Sequence, residues 1–311
     1  MLAQTRMSGP GVTPTQFSLH CGALSLDLTS AGGACTALRW QAPGADAFDV
    51  LQPRAVQSDE RFEQPSYALV PYSNRLFGGQ LITPAGPITL PGNHRLHPIP
   101  IHGVAWRTDW QTRQTGEASA TLQYRHTADA HWPFAHECTQ QVSLGPDTAH
   151  FALTLRNLSN QPMPAGLGFH PWFALDEDST VDFAAASVWT QDAQGRPLTA
   201  LPTGDEARFD FAGPRPAMEV VQDHCHANWQ GPARVTHLRR QLAVEVTASA
   251  DLAHLMVYRR PGQAWLCLEP VSHATGALSL PALNTAACGA RLLAPGASWS
   301  VWMTLAVRRL G

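Results

Sequence analysis

An all-β, antiparallel fold is what this sequence predicts, and two observations carry that reading. The 311 residues include 25 prolines and 24 glycines, spaced so that few windows hold a helix of ordinary length. Between them lie short runs in which apolar and polar residues alternate, the period of a strand with one buried face. Leu24-Ser25-Leu26-Asp27-Leu28 is the first of these. Ala120-Thr121-Leu122-Gln123-Tyr124, Leu153-Thr154-Leu155-Arg156 and Ala243-Val244-Glu245-Val246-Thr247 follow.

The punctuation agrees with the alternation. Ala85-Gly86-Pro87, Leu144-Gly145-Pro146-Asp147, Arg260-Pro261-Gly262 and Ala294-Pro295-Gly296 each separate two such runs, as turns between strands do. Many short strands with regular turns mean a sandwich or a barrel. No fixed-period repeat, low-complexity tract or Ser/Gly-rich linker divides the chain, so a single domain over 1–311 is expected. Residues 52–66 and 176–206 read as its least regular parts.

Composition narrows the function. Apolar residues make up 44% and charged residues 14%, the balance of a folded globular protein with a sparsely charged surface. All 21 basic residues are arginines. With no lysine, Schiff-base catalysis, pyridoxal-phosphate attachment and a P-loop lysine are excluded. The net charge of −3 and the lack of an arginine-rich stripe argue against nucleic acid as a partner and for a small, weakly charged one.

Cys21, Cys35, Cys138, Cys225, Cys267 and Cys288 form no Cys-x-x-Cys pair and read as buried thiols in a reducing compartment. No run approaches membrane-spanning length and no apolar leader precedes Pro10 and Pro14, so the cytoplasm is the expected location, with no membrane partner.

Five short motifs place polar residues in apolar or turn-forming surroundings. In Gly168-Phe169-His170-Pro171-Trp172-Phe173 a histidine is set among aromatics, and the flat C–H faces of a sugar ring sit well against Trp and Phe. Cys267-Leu268-Glu269-Pro270 ends an apolar strand on a glutamate. Desolvation there raises a carboxyl pKa toward the range of a general base, although a buried pair with an arginine such as Arg75 also fits.

Pro71-Tyr72-Ser73-Asn74-Arg75, ahead of Gly78 and Gly79, offers an amide and a guanidinium for a hydroxyl-rich ligand, or a turn that ties down its own loop. Ile101-His102-Gly103-Val104-Ala105-Trp106 puts a histidine at a strand end, either a satisfied core residue or a ligand contact, with a glycine that lets the backbone approach a ligand. Asp223-His224-Cys225-His226, leading to Trp229 and Gly231, contains a His-x-His pair without a third ligand at fixed spacing. Asp223 as an acceptor for sugar hydroxyls is the better reading than a metal. His94 and His97 lack a partner acid in their neighbourhood and read as a loop.

In this order the motifs resemble those of the aldose 1-epimerases, the galactose mutarotase family, over about residues 70–280. The resemblance implies a β-supersandwich of large antiparallel sheets with the sugar in an open cleft. It implies a cofactor-free and metal-free isomerase, monomeric or homodimeric, that interconverts the α and β anomers of a free aldose. Carried over by motif, Glu269 is the general base and His170 the general acid, with His102 the third member of the catalytic set. Asn74, Arg75, Asp223 and Trp172 bind the sugar.

Proton exchange between Glu269 and His170 would ask His170 to be protonated while Glu269 is ionised. Gly103 is followed by Val104 rather than a second glycine, as in a bacterial branch of diverse sugar preferences. Two alternatives remain: a sugar 6-phosphate epimerase, for which the extra cations would come from arginines such as Arg39, Arg95 or Arg107, and a non-catalytic sugar-binding or sensing protein.

Overall fold

Four sequence runs that alternate apolar with polar residues all become strands: Leu24–Thr29, Ser119–His126, Thr148–Asn157 and Leu242–Ala248. The computed structural model describes residues 14–53, 61–95 and 97–311, and among them there are 25 strands, eight single 3-10 turns and no α-helix. In Thr148–Asn157 the residues Ala149, Phe151, Leu153 and Leu155 are buried while their neighbours are half-buried or, at Arg156, exposed. Ser298–Arg309 repeats the pattern with Trp299, Val301, Met303 and Leu305 and pairs with it from Thr148↔Ala306 to Arg156↔Ser298.

These strands belong to a nine-stranded antiparallel sheet. Its order is Arg215–Pro216, Ser179–Asp182, Ala233–His237, Leu242–Ala248, Ser298–Arg309, Thr148–Asn157, His136–Leu144, Ser119–His126 and Gln111–Thr115. An eight-stranded sheet runs Pro197–Pro202, Ala185–Gln191, Gln222–Trp229, His254–Arg259, Trp265–Val271, Gly168–Phe169 and Ala68–Leu69, with Trp172–Ala174 paired beside Trp265–Val271. One apolar core joins the two, with Leu153, Val244 and Val301 from the first meeting Leu255, Leu266 and Leu268 from the second. A four-stranded sheet, Gln16–Cys21, Leu24–Thr29, Cys35–Trp40 and Phe48–Asp49, packs into the same core. This is the β-supersandwich arrangement.

Two expectations need correction. Residues 176–206 are not irregular, because they hold Ser179–Asp182, Ala185–Gln191 and Pro197–Pro202. The last is an edge strand bounded by prolines and largely exposed, so it needs no apolar alternation to be stable there. Within 52–66 the irregular reading stands for the described part, a 3-10 turn at Arg61–Glu63, while 54–60 lie outside the described residues. The cysteines are all free thiols, but only Cys35, Cys138, Cys225 and Cys267 are buried; Cys21 and Cys288 are half-buried. No helix among the described residues is long and apolar enough to cross a membrane.

Candidate active site

The strand Trp265–Val271 sits inside the eight-stranded sheet, and its two faces have different tasks. Leu266 and Leu268 enter the core between the sheets. By the two-residue period of a strand, Trp265, Cys267 and Glu269 share the other face. Register then lays out a row across that face: Asp223 lies opposite Tyr258, Tyr258 opposite Cys267, and Cys267 opposite Trp172.

Glu269 meets His170 at the floor of a cavity of about 590 Å³. His170 follows the short strand Gly168–Phe169, and its backbone N–H donates to the Tyr67 carbonyl at 3.1 Å. Its imidazole lies between the rings of Tyr67, at 4.9 Å, and Trp172, at 5.7 Å. That packing aims Nε2 at Glu269 Oε1, 3.3 Å away.

Both groups are almost completely buried. Burial pushes the imidazole down to about 3 and the carboxyl well above its usual range. The directions agree: the resting pair is electrically neutral, sharing one proton that lies on the glutamate side. An ionised Glu269 beside a protonated His170 is therefore not the resting state, because desolvation opposes two charges there. Arg75 acts the other way and favours the glutamate anion.

Asn74 and His102 form the wall above this pair. The Asn74 backbone N–H donates to His102 Nδ1 at 3.1 Å, and the His102 N–H donates to the Asn74 carbonyl at 3.0 Å. Because Nδ1 is an acceptor, the ring proton is assigned to Nε2. Burial, reinforced by the neighbouring His170, holds this imidazole well below its usual range and so neutral. Both residues have positive φ, 56° and 58°, a conformation that costs about 1 kcal/mol or more outside glycine and concentrates at functional sites.

Asn93 supports them. Its amide accepts from Ile101 N–H at 2.9 Å and donates to the carbonyls of Ile101 and Gly103 at 2.8 and 2.7 Å. From the other side His273 Nε2 accepts the Ser73 N–H at 3.2 Å. Gly103 is required by a close approach to its own chain rather than to a ligand. At φ 67° a Cβ there would collide with the Val70 carbonyl.

The Asn-Arg motif is both a self-tied turn and a cavity group. Asn74 Oδ1 accepts from the Arg75 backbone N–H at 2.8 Å and from Nη1 at 3.3 Å, which turns the guanidinium toward Asp223. Arg75 Nη2 lies 3.1 Å from Asp223 Oδ2 in a partly solvated pair. The arginine partner of a carboxylate is thus given to Asp223, and Glu269 takes the histidine.

Asn74, Arg75, His102, His170, Trp172, Asp223 and Glu269 all line the one cavity. Phe173, by contrast, is fully buried, and Trp229 belongs to the core. His224 and His226 fall on the opposite face of their strand, against Phe209 and, for His226, also Phe183 and Phe211. His94 and His97 lie in a loop as expected, and that loop borders the cavity. Burial, with His94, Arg75 and Arg260 beside it, holds the His97 imidazole below its usual range, against a smaller opposing effect of Asp223 from a distant strand.

Phe62, Tyr258 and Trp265 also line the cavity and were not anticipated. Strand alternation back from Glu269 was the available signal for Trp265. Of the arginines considered as extra cations, Arg95 lines the cavity, while Arg39 pairs with Asp27 and Asp49 on the four-stranded sheet. Arg107 lies beside the Trp106 ring and does not line the cavity. As a potential metal donor set, His170, Cys267 and Glu269 present ligand atoms within 4.8 Å of one another.

Comparison with known proteins accords with this layout. YphB of Escherichia coli K12, a protein of uncharacterised activity, is 27% identical over 270 residues, 84% of this chain and 89% of that one. The crystal structure of a provisionally assigned aldose 1-epimerase from E. coli K12 superposes with a TM-score of 0.86 at 24% identity, over 96% of this chain and all of the other. Galactose 1-epimerase from Lactobacillus acidophilus gives 0.77 at 13% identity, over 98% and 97%. At these identities the two structures speak for the fold. The aldose 1-epimerase sequence family itself matches residues 16–306, a span that holds all but the last three residues of the two large sheets and every side chain of the acid-base floor, and the chain belongs to that family.

Proposed function

We propose that the protein interconverts the α and β anomers of a free aldose by opening and reclosing the sugar ring. One observation carries this reading: the acid and the base touch, at 3.3 Å, at the floor of a cavity. The two oxygens that must exchange protons in mutarotation, the anomeric hydroxyl and the ring oxygen, are borne by the same carbon. A pair in direct contact matches two adjacent oxygens, whereas groups acting on opposite sides of a glycosidic bond stand well apart.

The shared proton first passes from Glu269 to His170 Nε2; the Glu269 anion then takes the proton of the anomeric O–H while Nε2 delivers its proton to the ring oxygen. The C1–O5 bond breaks as the C1 carbonyl forms. Rotation about C1–C2 presents the other face, and closure reverses both transfers, with each group regaining the proton state in which it began. The single shared proton suits this exchange, and Arg75 supports the glutamate anion that must form. His102 Nε2–H is a donor to a substrate oxygen, and Asn74, Arg75 and Asp223 read ring hydroxyls. Trp172 supplies an apolar face next to the acid.

Polarimetry of freshly dissolved α-glucose and α-galactose tests the reading. Wild type should accelerate equilibration, and Glu269→Gln should lose at least about 100-fold. No acceleration over that variant with any common aldose sinks the proposal. A sugar 6-phosphate is the second reading, favoured by Arg95 and Arg260 on the cavity wall, and the same assay on glucose 6-phosphate separates the two. A purely binding protein would hold sugar equally well as His170→Asn without changing anomer exchange, and it has no use for a buried acid-base contact.

A further inference from the structure

We propose that the buried cluster at the edge of the cavity is also a site for a soft divalent cation, zinc above all, held by His170 Nε2, Cys267 Sγ and a carboxylate oxygen of Glu269. An ion there would exclude the sugar, and that second half rests on the anomer-exchange reading. Cys267 and Glu269 stand two residues apart on one strand face, His170 contacts the glutamate, and the three donor atoms lie within 4.8 Å of one another.

Ligand geometry favours zinc. Metal–nitrogen and metal–oxygen bonds of about 2.0 Å at a tetrahedral angle separate the two donors by about 3.3 Å. The histidine–glutamate edge already measures 3.3 Å. A metal–sulfur bond of about 2.3 Å places the sulfur about 3.5 Å from each of the others, so only the thiol must close in. Nitrogen, thiolate and carboxylate together are a borderline-soft donor set that suits zinc over magnesium or calcium. Three protein donors leave a fourth position for an exogenous ligand.

The thiol is free for this task. Cys35 and Cys138 each donate through sulfur to a backbone carbonyl, but among the described residues Cys267 makes no such bond, although it lies beside the two most chemically committed side chains of the cavity. Coordination displaces the thiol proton and the proton shared by the pair, and both leave to solvent.

Titration of the reduced protein with Co²⁺, followed by absorption, reads the site without any turnover. One ion per chain should bind, with a thiolate-to-cobalt charge-transfer band in the near ultraviolet and visible bands of tetrahedral intensity, and Zn²⁺ should displace it. Cys267→Ser should lose the charge-transfer band and weaken binding at least about 10-fold, whereas Cys288→Ser, which alters a half-buried thiol outside the site, should change neither. Wild type without one-to-one binding overturns the proposal whatever the variants do, as does a charge-transfer band that follows Cys288. Zinc should also inhibit anomer exchange competitively with sugar. Accelerated mutarotation indifferent to zinc sinks the cation site alone; cobalt bound as described in a protein without mutarotase activity sinks the proposed activity alone.

Discussion

Asn93 spends its whole side chain on three main-chain atoms that frame His102. Alanine there leaves two carbonyls and an N–H buried without partners, at a cost of about 1–3 kcal/mol each if nothing relaxes. On the proposed mechanism the catalytic consequence is displacement of His102 from the reacting oxygens. Asn93→Ala should lose about 100-fold in kcat at a temperature where circular dichroism shows it folded. Asn93→Asp should not recover the loss, because a carboxylate cannot donate to Ile101 and Gly103. Full activity in the alanine variant would show that the loop holds itself.

Asn93 carries no mark in the sequence. The seven cavity side chains were legible because each stands in a short motif whose chemistry is local: a histidine between aromatics, an amide beside a guanidinium, a glutamate closing an apolar strand. What identifies Asn93 is which backbone atoms the loop folds onto it. The place of His94 and His97 on the cavity wall was hidden for the same reason, since it depends on where their loop folds.

At the level of the element, Trp265–Val271 shows how a strand separates stability from chemistry. Leu268 is fully buried on the core face and its neighbour Glu269 points away from it. Leu268→Ala should cost about 2–5 kcal/mol in urea denaturation while leaving anomer exchange per folded molecule nearly unchanged. A large loss of activity in the folded variant would mean that the two faces do not act independently.

Strands with a single buried face could be read from alternation. Edge strands such as Pro197–Pro202 could not, because exposure on both faces removes the apolar signal that marks a strand. Trp265–Val271, buried on nearly its whole length, shows no alternation either, and only its glutamate drew notice.

Over the whole molecule, buried neutral histidines set the response to acid. Burial holds His136 and His226 down to about 3, with the further help of His126 and His224 respectively. It holds His254 and His273 down to about 4, His273 adding to the effect on His254. Each binds its proton more weakly in the folded than in the unfolded chain. As pH falls below about 6.5 the unfolded chain takes up protons first, and stability drops until the folded values near 3 to 4 are reached.

At pH 5 each of the four forfeits up to about 2 kcal/mol, and the urea midpoint should fall clearly between pH 7.5 and pH 5. A midpoint that stays flat over that interval would contradict the assignment of these imidazoles as neutral. The antiparallel β class was legible from turns and alternation and the pair of large sheets from the family resemblance alone, but the order of strands within each sheet was not. That order is set by contacts between segments far apart in the chain.

The strand Ser298–Arg309 pairs on one side with Thr148–Asn157 and on the other with Leu242–Ala248. It is the keystone of the nine-stranded sheet and follows both of its neighbours in the chain. Until residue 298 and those after it have emerged, the sheet exists only as two halves with raw facing edges, the kind of surface that invites wrong partners. Synthesis order and spatial order are opposed, so this sheet can be closed only after both of its halves have been made.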